Sequence, residues 1–308
     1  MHKFILKRLG MMLPVLVGVM FVIFTLTYIT PGDPVMMILG DQAAQEDIVN
    51  LRAELGLDQP FLVQFGMFVA NTMQFNFGTS FTTGRPVLEE IGFRFPTTMQ
   101  LAAMSVVISV LIGIPLGILS AVKQYTIFDN GATIIGLLGV SIPNFWLGMM
   151  LIILFSVNLG WFPTTGFETP MHWVLPSFTI GISSAAIIMR MTRSSMLEVI
   201  RQDYIRTARA KGQKESKIIV SHALKNALIP VITVVGLQFG LLLGGAILTE
   251  TIYAIPGLGR FMVESIQRRD YPIIQGGVLL LALVFSFVNL LVDILYAFVD
   301  PRIRSQYK

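Results

Sequence analysis

The 308-residue chain carries too little charge to be surrounded by water alone, because only 13 % of its residues are Asp, Glu, Lys or Arg. A soluble domain has about a quarter of its residues charged. Hydrophobic residues make up 54 % of the chain and the mean hydropathy is +0.73. Lipid must therefore form part of its surroundings. The chain contains no cysteine, which excludes disulfide frameworks and thiolate metal sites.

Six stretches are apolar and long enough to cross a bilayer as helices, which takes about 20 residues each. The sequence therefore predicts an all-α integral membrane protein with six transmembrane helices. We divide it into an N-terminal helix (1–30), a long extracytoplasmic loop (31–98) and a core of five helices (99–308). The predicted spans are about 9–30, 99–122, 131–157, 174–192, 226–249 and 273–299.

Basic residues are unevenly distributed between the segments that join these helices. Nine of the 22 Lys and Arg residues lie in segment 190–225. With both termini in the cytoplasm, 16 basic residues lie inside and six outside. Basic residues that flank spans stay in the cytoplasm, so we predict that both termini are cytoplasmic. The acidic segment 31–98 would then lie outside. The net charge of +4 reflects this bias, so we expect no nucleic-acid partner.

The most informative segment runs from Met196 to Pro230. Its periodicity predicts a helix over 197–211, followed by Gly212 in the left-handed conformation typical of helix C-termini. Ser216 is expected to cap a second helix that continues into the fifth span. We interpret this basic helix–glycine–helix elbow as a docking surface for a cytoplasmic partner. The alternative is a basic hairpin that rests on anionic lipid headgroups.

Small residues at a spacing of four are expected to permit close helix packing. One set, Gly236, Gly240 and Gly244, lies in the fifth predicted span. Gly113 and Gly117 repeat the spacing in the second span. We assign these glycines a structural role.

Several strings of this chain, in order, match one family of membrane permeases. The elbow contains RTARAKG at Arg206–Gly212 and HALKNALIP at His222–Pro230. On these residues the chain resembles the permease subunits of ABC importers for dipeptides, oligopeptides, nickel and glutathione. The other matching strings are PGDP (31–34), LGLDQP (55–60), SIPNFWLG (141–148), LGWFPTTG (159–166), TRSSMLEVIRQDY (192–204), PGLGR (256–260), RDYP (269–272) and VDILYAFVDPRIR (292–304).

The general loop motif of importer permeases is Glu-Ala-Ala, three residues and Gly. Here only Ala208 and Gly212 match it, with Arg206 and Thr207 in the first two places. These departures from the general motif match the pattern of the narrower family for dipeptides, oligopeptides, nickel and glutathione. The resemblance implies that the elbow couples this chain to an ATPase through Arg206, Thr207, Ala208, Arg209, Ala210, Lys211 and Gly212.

The resemblance further implies four kinds of partner subunit or surroundings: a second homologous permease, two ATP-binding subunits, an extracytoplasmic solute-binding protein and the bilayer of the cell inner membrane. No G-x-x-x-x-G-K-[ST] string occurs in the chain. ATP and Mg²⁺ are therefore expected on the partner subunits, and this chain is expected to bind no cofactor and no metal and to catalyse no reaction. Dipeptides or oligopeptides are the expected solutes, and nickel and glutathione remain open.

Polar groups in the predicted spans are candidates for a solute path: Asn144, Gln238, Asn289 and Asp293. Asp293 is the one carboxylate that we place deep in a span, where a charge costs at least ~2.5–3.5 kcal/mol. It should therefore line a polar path or form a buried ion pair with Arg190 or Arg302. Asn144 and Gln238 could instead hydrogen-bond between helices.

A free-standing secondary transporter is the alternative in a different class. Such a protein generally has internal repeats, coupling charges at mid-membrane or broken helices. We find no convincing repeat across the six spans, and a free-standing carrier has little use for a basic cytoplasmic elbow.

Overall fold

The computed structural model describes residues 2–40 and 42–299, and these are helical through most of their length. The described residues contain no β-strand, only an isolated antiparallel bridge between Thr79 and Pro86. The chain is therefore all-α, as predicted. Helices α1 to α13 are His2–Ile29, Pro34–Leu39, Gln45–Glu54, Phe61–Met73, Val87–Val122, Ile127–Ser141, Asn144–Leu151, Pro170–Ile200, Asp203–Ala210, Glu215–Lys217, Lys225–Ile252, Leu258–Gln267 and Tyr271–Val299.

Two π-helical stretches, Ile152–Asn158 and Ile218–Leu224, extend α7 and connect α10 to α11. Five helical segments of the described chain are long and apolar enough to cross a membrane, and a bent pair of helices brings the number to six if it forms one span. The five are Ile5–Ile29, Val87–Val122, Pro170–Ile200, Glu215–Gly244 and Tyr271–Leu295.

The third predicted span, 131–157, is broken rather than continuous. Helix α6 ends at Ser141, and the two halves, Ile127–Ser141 and Asn144–Asn158, differ in direction by 102°. The break falls at Pro143, which has no N–H to donate and disfavours helical geometry in the residue before it. Ile142 accordingly is extended, with ψ of 124°. The prediction of one continuous helix here was wrong.

Helix α5 begins at Val87 instead of residue 99, so part of the predicted loop 31–98 is helical. The Val87 N–H donates to the carbonyl of Gly78 at 3.0 Å, beside the Thr79–Pro86 bridge. Glu89 lies in the first turn, where a negative charge is favourable. At 1.5 Å per residue the helix is about 54 Å long, which exceeds the roughly 30 Å of a bilayer core.

Helices α5 and α8 pack face to face at the centre of the bundle through glycines. A Cβ at Gly113 would lie 2.6 Å from the carbonyl oxygen of Ala185. A Cβ at Gly117 would lie 2.7 Å from the carbonyl oxygen of Met189. Any larger residue at these two positions would therefore push the helices apart.

The glycines of α11 have different surroundings from one another. At Gly236 an added Cβ would clash with Val292 of α13, and at Gly240 it would lie 2.7 Å from Cδ2 of Phe285. Gly244 is exposed, and no heavy atom lies within 4 Å of its Cβ position. Gly244 therefore makes no helix contact within the described chain, contrary to the expectation that all three glycines pack one face.

The two ends of the bundle carry different structures. The end where α8 leads through α9 and α10 to α11 is called the elbow end. The opposite end, called the loop end, holds α2–α4, α12 and the segment 74–86. At the loop end, buried Asp270 accepts hydrogen bonds from Ser80 Oγ at 2.5 Å and from the N–H of Phe81 at 3.1 Å. These contacts hold segment 74–86 against the start of α13.

Candidate functional site

The elbow between α8 and α11 is a helix–turn–helix unit. Helix α8 continues to Ile200, the chain turns at Arg201 and Gln202, and α9 follows, so the single helix predicted over 197–211 is interrupted. Gly212 follows α9 with φ of +72°, and its N–H donates to Arg209 O at 2.9 Å. The left-handed conformation predicted for Gly212 is thus confirmed.

The second arm of the elbow starts differently from the prediction. Helix α10 begins at Glu215, its N-cap residue is Lys214, and no side chain caps it. Ser216 lies inside this short helix and is exposed. The prediction that Ser216 is the N-cap was therefore wrong.

Apolar side chains fix the underside of the elbow to the bundle. Ile205, Ile218 and Ala223 are at most 1 % exposed and form one cluster with Met196 of α8 and Ala121 of α5. Because side chains from α9, the π-helical stretch, α8 and α5 interdigitate here, a displacement of the elbow must move the ends of α5 and α8 with it.

Polar contacts join the two arms of the elbow. Arg209 donates to both carboxylate oxygens of Glu215, at 3.1 and 2.6 Å, and this pairing raises the pKa of the Arg209 guanidinium. His222 lies 2.8 Å from Oε1 of Gln213, the residue after Gly212. These contacts make the turn a defined structure and not a flexible connector.

The seven residues Arg206 to Gly212 form the outer surface of the elbow. All are exposed except Ala208, which is half-buried against the apolar cluster. The Arg206 side chain keeps 74 % of its surface exposed and lies 3.7 Å from exposed Asp203. The arrangement presents basic groups outward on a fixed helical base.

Two of the predicted path residues, Asn144 and Gln238, contact successive serines of α8. Ser183 Oγ lies 2.8 Å from Asn144 Oδ1 and 2.9 Å from the carbonyl of Gly139, so it ties both sides of the break at Pro143 to α8. Gln238 Nε2 donates to Ser184 Oγ at 3.0 Å and is buried between α11 and α8. Both side chains therefore form hydrogen bonds between helices, which was the alternative to a role in the solute path.

The other two path candidates lie near the elbow end of α13. Asp293 pairs with Arg8 of α1 at 3.0 Å, and not with Arg190, which was one of the two partners considered. The other, Arg302, lies outside the described residues. Asn289, one turn before Asp293, is half-buried, and its Oδ1 has no hydrogen-bond partner in the described chain.

Three carboxylates within helices of the described chain are more buried than Asp293, and none was predicted from the sequence: Glu90, Asp129 and Glu250. Glu90 pairs with Arg94 within α5, whereas the other two join different elements. The first is Asp129 of α6, which is 3 % exposed. Arg193 of α8 donates to its two oxygens at 2.8 Å each, and Ser120 of α5 also donates to it. This group joins three helices at the elbow end.

The second is Glu250 near the end of α11, which has no exposed surface. It accepts hydrogen bonds from Thr98 Oγ1 at 2.5 Å and from the N–H of Arg260 at 2.9 Å. A Cβ at Gly257 would collide with this carboxylate, and one at Gly259 would lie 3.0 Å from it. The sequence signal for this site was the pair of glycines in the string PGLGR, because a glycine leaves room for a neighbouring side chain.

The fold is that of a multi-pass helical membrane protein with an exposed, basic elbow at one end. Residues 113–305 match the family described as "Binding-protein-dependent transport system inner membrane component", and residues 1–102 match the N-terminal part of the same kind of membrane component. The chain belongs to this family of inner-membrane transport permeases. Its membership implies transport and not catalysis.

Curated relatives cover the chain almost from end to end. A dipeptide transport system permease protein of Escherichia coli is 44 % identical over 338 residues, covering 99 % of this chain and all of the relative. The corresponding protein of Alkalihalophilus pseudofirmus is 43 % identical over 332 residues, with the same coverage. A glutathione transport system permease protein of Salmonella choleraesuis is 45 % identical over 304 residues, covering 99 % of both chains.

Solved structures support the fold alone. A chain of the MetNI methionine ABC transporter in an inward-facing conformation has a TM-score of 0.59 and 21 % identity, and covers 69 % of this chain and 97 % of that chain. A chain of an amino acid ABC transporter has a TM-score of 0.51 and 16 % identity, covering 70 % of this chain and 94 % of that chain. The helical bundle therefore shares its fold with chains of these ABC transporters.

Proposed function

We propose that this chain is a permease subunit of an ATP-driven importer that translocates short peptides, with dipeptides and glutathione as the leading solutes. The observation that carries the proposal is the end-to-end similarity, at 43–45 % identity, to permeases named for these two solutes. Both are small molecules with peptide bonds, a free amino group and carboxylates, so one kind of polar path would suit both.

The partners of the proposed importer are a second, homologous permease, two ATP-binding subunits and an extracytoplasmic solute-binding protein. The family description supports a binding-protein-dependent system. ATP and Mg²⁺ would be bound by the ATP-binding subunits, since the chain has no P-loop string. The permease would contribute the membrane passage and no hydrolytic chemistry.

The elbow is the proposed contact with one ATP-binding subunit. Its exposed face, Arg206–Gly212, is carried by a helix whose underside is packed against α5 and α8. Closure of the ATPase pair would then displace the ends of these helices together and switch the bundle between inward-open and outward-open forms. Because the underside of the elbow is packed against these helices, little of the displacement would be lost in the connection.

Both termini and the elbow are proposed to be cytoplasmic, and the loop end is proposed to face the extracytoplasmic side. The nine basic residues of segment 190–225 support this orientation. On the opposite side, α2–α4 and α12 form an ordered surface on which the loaded binding protein would dock.

For the solute path we retain Asn144, Gln238, Asn289 and Asp293 as candidates. Asn289 is supported most directly, because its half-buried amide oxygen lacks a partner in the described chain. Asn144 lies at the break between α6 and α7, and irregular backbone at membrane depth is tolerated where it is buried in protein or lines a water-filled cavity. The Arg8–Asp293 pair favours a structural role for Asp293.

The proposal is tested by purifying the tagged chain in mild detergent after expression with its neighbouring genes. Mass spectrometry should identify a second permease and P-loop ATPases. Proteoliposomes that contain this complex and the binding protein should then take up labelled dipeptide or glutathione only with ATP. Uptake by the chain alone, driven by an ion gradient, would replace the importer proposal with a secondary transporter.

A further inference from the structure

An open cavity of about 980 Å³ lies at the loop end, away from the candidate solute path. Its walls come from the end of α1, the segment that contains α2–α4, residues 74–81 and the start of α13. No residue of α5, α8 or α11 lines it. A volume of roughly 300–1,000 Å³ is typical of sites that bind small organic molecules.

The cavity lies at the level where a membrane changes from hydrocarbon to headgroups. The apolar span of α1 ends at Ile29 and is followed by the polar turn Thr30–Asp33. Only 11 % of the most apolar part of this span is buried in the protein, so most of α1 is free to face lipid. Tyrosine and tryptophan are typically found at this boundary, and Tyr28 lines the cavity.

The deeper wall is aromatic. Phe24 of α1 stacks on Phe68 of α4 with ring centroids 5.5 Å apart, and Phe77 and Phe81 continue the surface. Helix α4 contains no charged residue. This wall provides an apolar surface that suits a hydrocarbon chain.

The rim carries charges of both signs. Arg52 and Asp33 form an ion pair in which the side chains remain 44 % and 32 % exposed, and Glu54 lines the same rim. Gly32, next to Asp33, approaches Tyr271, whose hydroxyl oxygen would lie 3.2 Å from a Cβ at that glycine. The Arg269 guanidinium lies at the same glycine, with Nη1 2.8 Å from that Cβ position, so the Tyr271 hydroxyl lies at the charged rim.

Tyr271 provides an independent indication of a ligand. It is 8 % exposed and lines the cavity, yet its hydroxyl has no hydrogen-bond partner among the described residues. Buried hydroxyl groups nearly always have a partner, because leaving one unpaired costs free energy. An oxygen atom of a bound molecule would supply that partner.

We propose that this cavity binds a zwitterionic phospholipid of the surrounding bilayer. Its acyl chain lies against the aromatic wall, and its phosphate faces Arg52 and the Tyr271 hydroxyl. Its ammonium group faces Asp33 and Glu54. A transported peptide is less suited to this site, because only the start of α13 contributes from the bundle core and none of α5, α8 and α11 reaches the cavity.

The test uses the complete importer complex, purified in mild detergent and analysed by native mass spectrometry. Met67→Trp fills the cavity, because Met67 lines it. Tyr271→Phe removes one oxygen and preserves the shape of the side chain. The control is Leu13→Trp, which introduces the same side chain at a more exposed position of α1 (63 %, against 38 % for Met67) that does not line the cavity.

The wild-type complex and Leu13→Trp should retain one phosphatidylethanolamine after repeated detergent washing. Met67→Trp should retain at least fivefold less lipid, and Tyr271→Phe about threefold less. Added phosphatidylethanolamine should also raise the melting temperature of wild type and not of Met67→Trp, and phosphatidylglycerol should do so less. Equal lipid retention in all four complexes, or recovery of a peptide in place of lipid, would overturn the proposal. Neither result would affect the importer assignment, which depends on uptake.

Discussion

Removing the charge of Arg193 tests whether the Asp129–Arg193 group stabilises the bundle. Arg193 Nε and Nη2 donate to the two oxygens of Asp129 at 2.8 Å each, and Nε also lies 3.0 Å from Ser120 Oγ. The side chain of Asp129 is 4 % exposed and that of Arg193 is 29 % exposed. Arg193→Met would leave a buried carboxylate without its cationic partner while preserving most of the apolar stem.

Breaking a buried ion pair from one side costs about 3–5 kcal/mol. Because Arg193 keeps part of its surface in contact with solvent or headgroups, the lower value of about 3 kcal/mol applies. This corresponds to roughly a 150-fold change in the unfolding equilibrium. The melting temperature of the detergent-solubilised protein should fall by about 6–12 °C.

Two further variants separate this effect from a general loss of basic charge. Arg206→Met removes an exposed arginine whose pairing with Asp203 should contribute at most about 1 kcal/mol. The double variant Asp129→Asn/Arg193→Met leaves no charge in this group and should recover more than half of the stability lost in Arg193→Met. If Arg193→Met melts at the same temperature as Arg206→Met, the group does not hold the three helices together.

Three other predictions follow from the packing. Gly113→Leu should destabilise the protein by about 1–3 kcal/mol, because its Cβ would lie 2.6 Å from a carbonyl oxygen of α8. Gly244→Leu should melt within 2 °C of wild type, because no heavy atom lies near the Cβ position of Gly244. Similar losses of stability in Gly113→Leu and Gly244→Leu would contradict this packing. Glu250→Gln should cost about 1–2 kcal/mol, since a neutral amide has one acceptor oxygen for the two donors, Thr98 Oγ1 and the Arg260 N–H, and hydrogen–deuterium exchange at the start of α12 should accelerate. Unchanged exchange there would refute that role. Gly212→Pro cannot adopt φ of +72° and should reduce transport at least tenfold while ATP hydrolysis continues, whereas normal transport would disprove the coupling role of the elbow.

Composition and local sequence pattern were sufficient to predict the class of protein and most of the membrane spans. A low charge content with long apolar runs requires lipid whatever the tertiary structure is. The turn at Gly212 was equally predictable, because a glycine after a helical pattern is a local signal that depends on backbone sterics. The family resemblance was carried by short strings in fixed order and needed no coordinates.

The break at Pro143 was only partly predictable. A proline marks a probable helix boundary, but several other prolines of this chain lie inside continuous helices, among them Pro14, Pro115 and Pro230. Whether a proline bends a helix depends on what the neighbouring helix offers to the freed backbone groups. Here the Ser183 hydroxyl of α8 lies 2.9 Å from the carbonyl of Gly139, which Pro143 leaves without its helical donor, and 2.8 Å from the side-chain oxygen of Asn144. Sequence spacing does not show these contacts.

The sequence by itself determined that the chain is a helical membrane protein with a basic elbow, because these properties depend on residue type and local spacing. Only the tertiary structure decided which charges meet. Glu250 is bonded by Thr98, and Asp293 pairs with Arg8 at the other end of the chain. Removing a charged group from water costs free energy unless an opposite charge or a hydrogen-bond donor lies nearby. Which group lies nearby is decided by the packing of the helices.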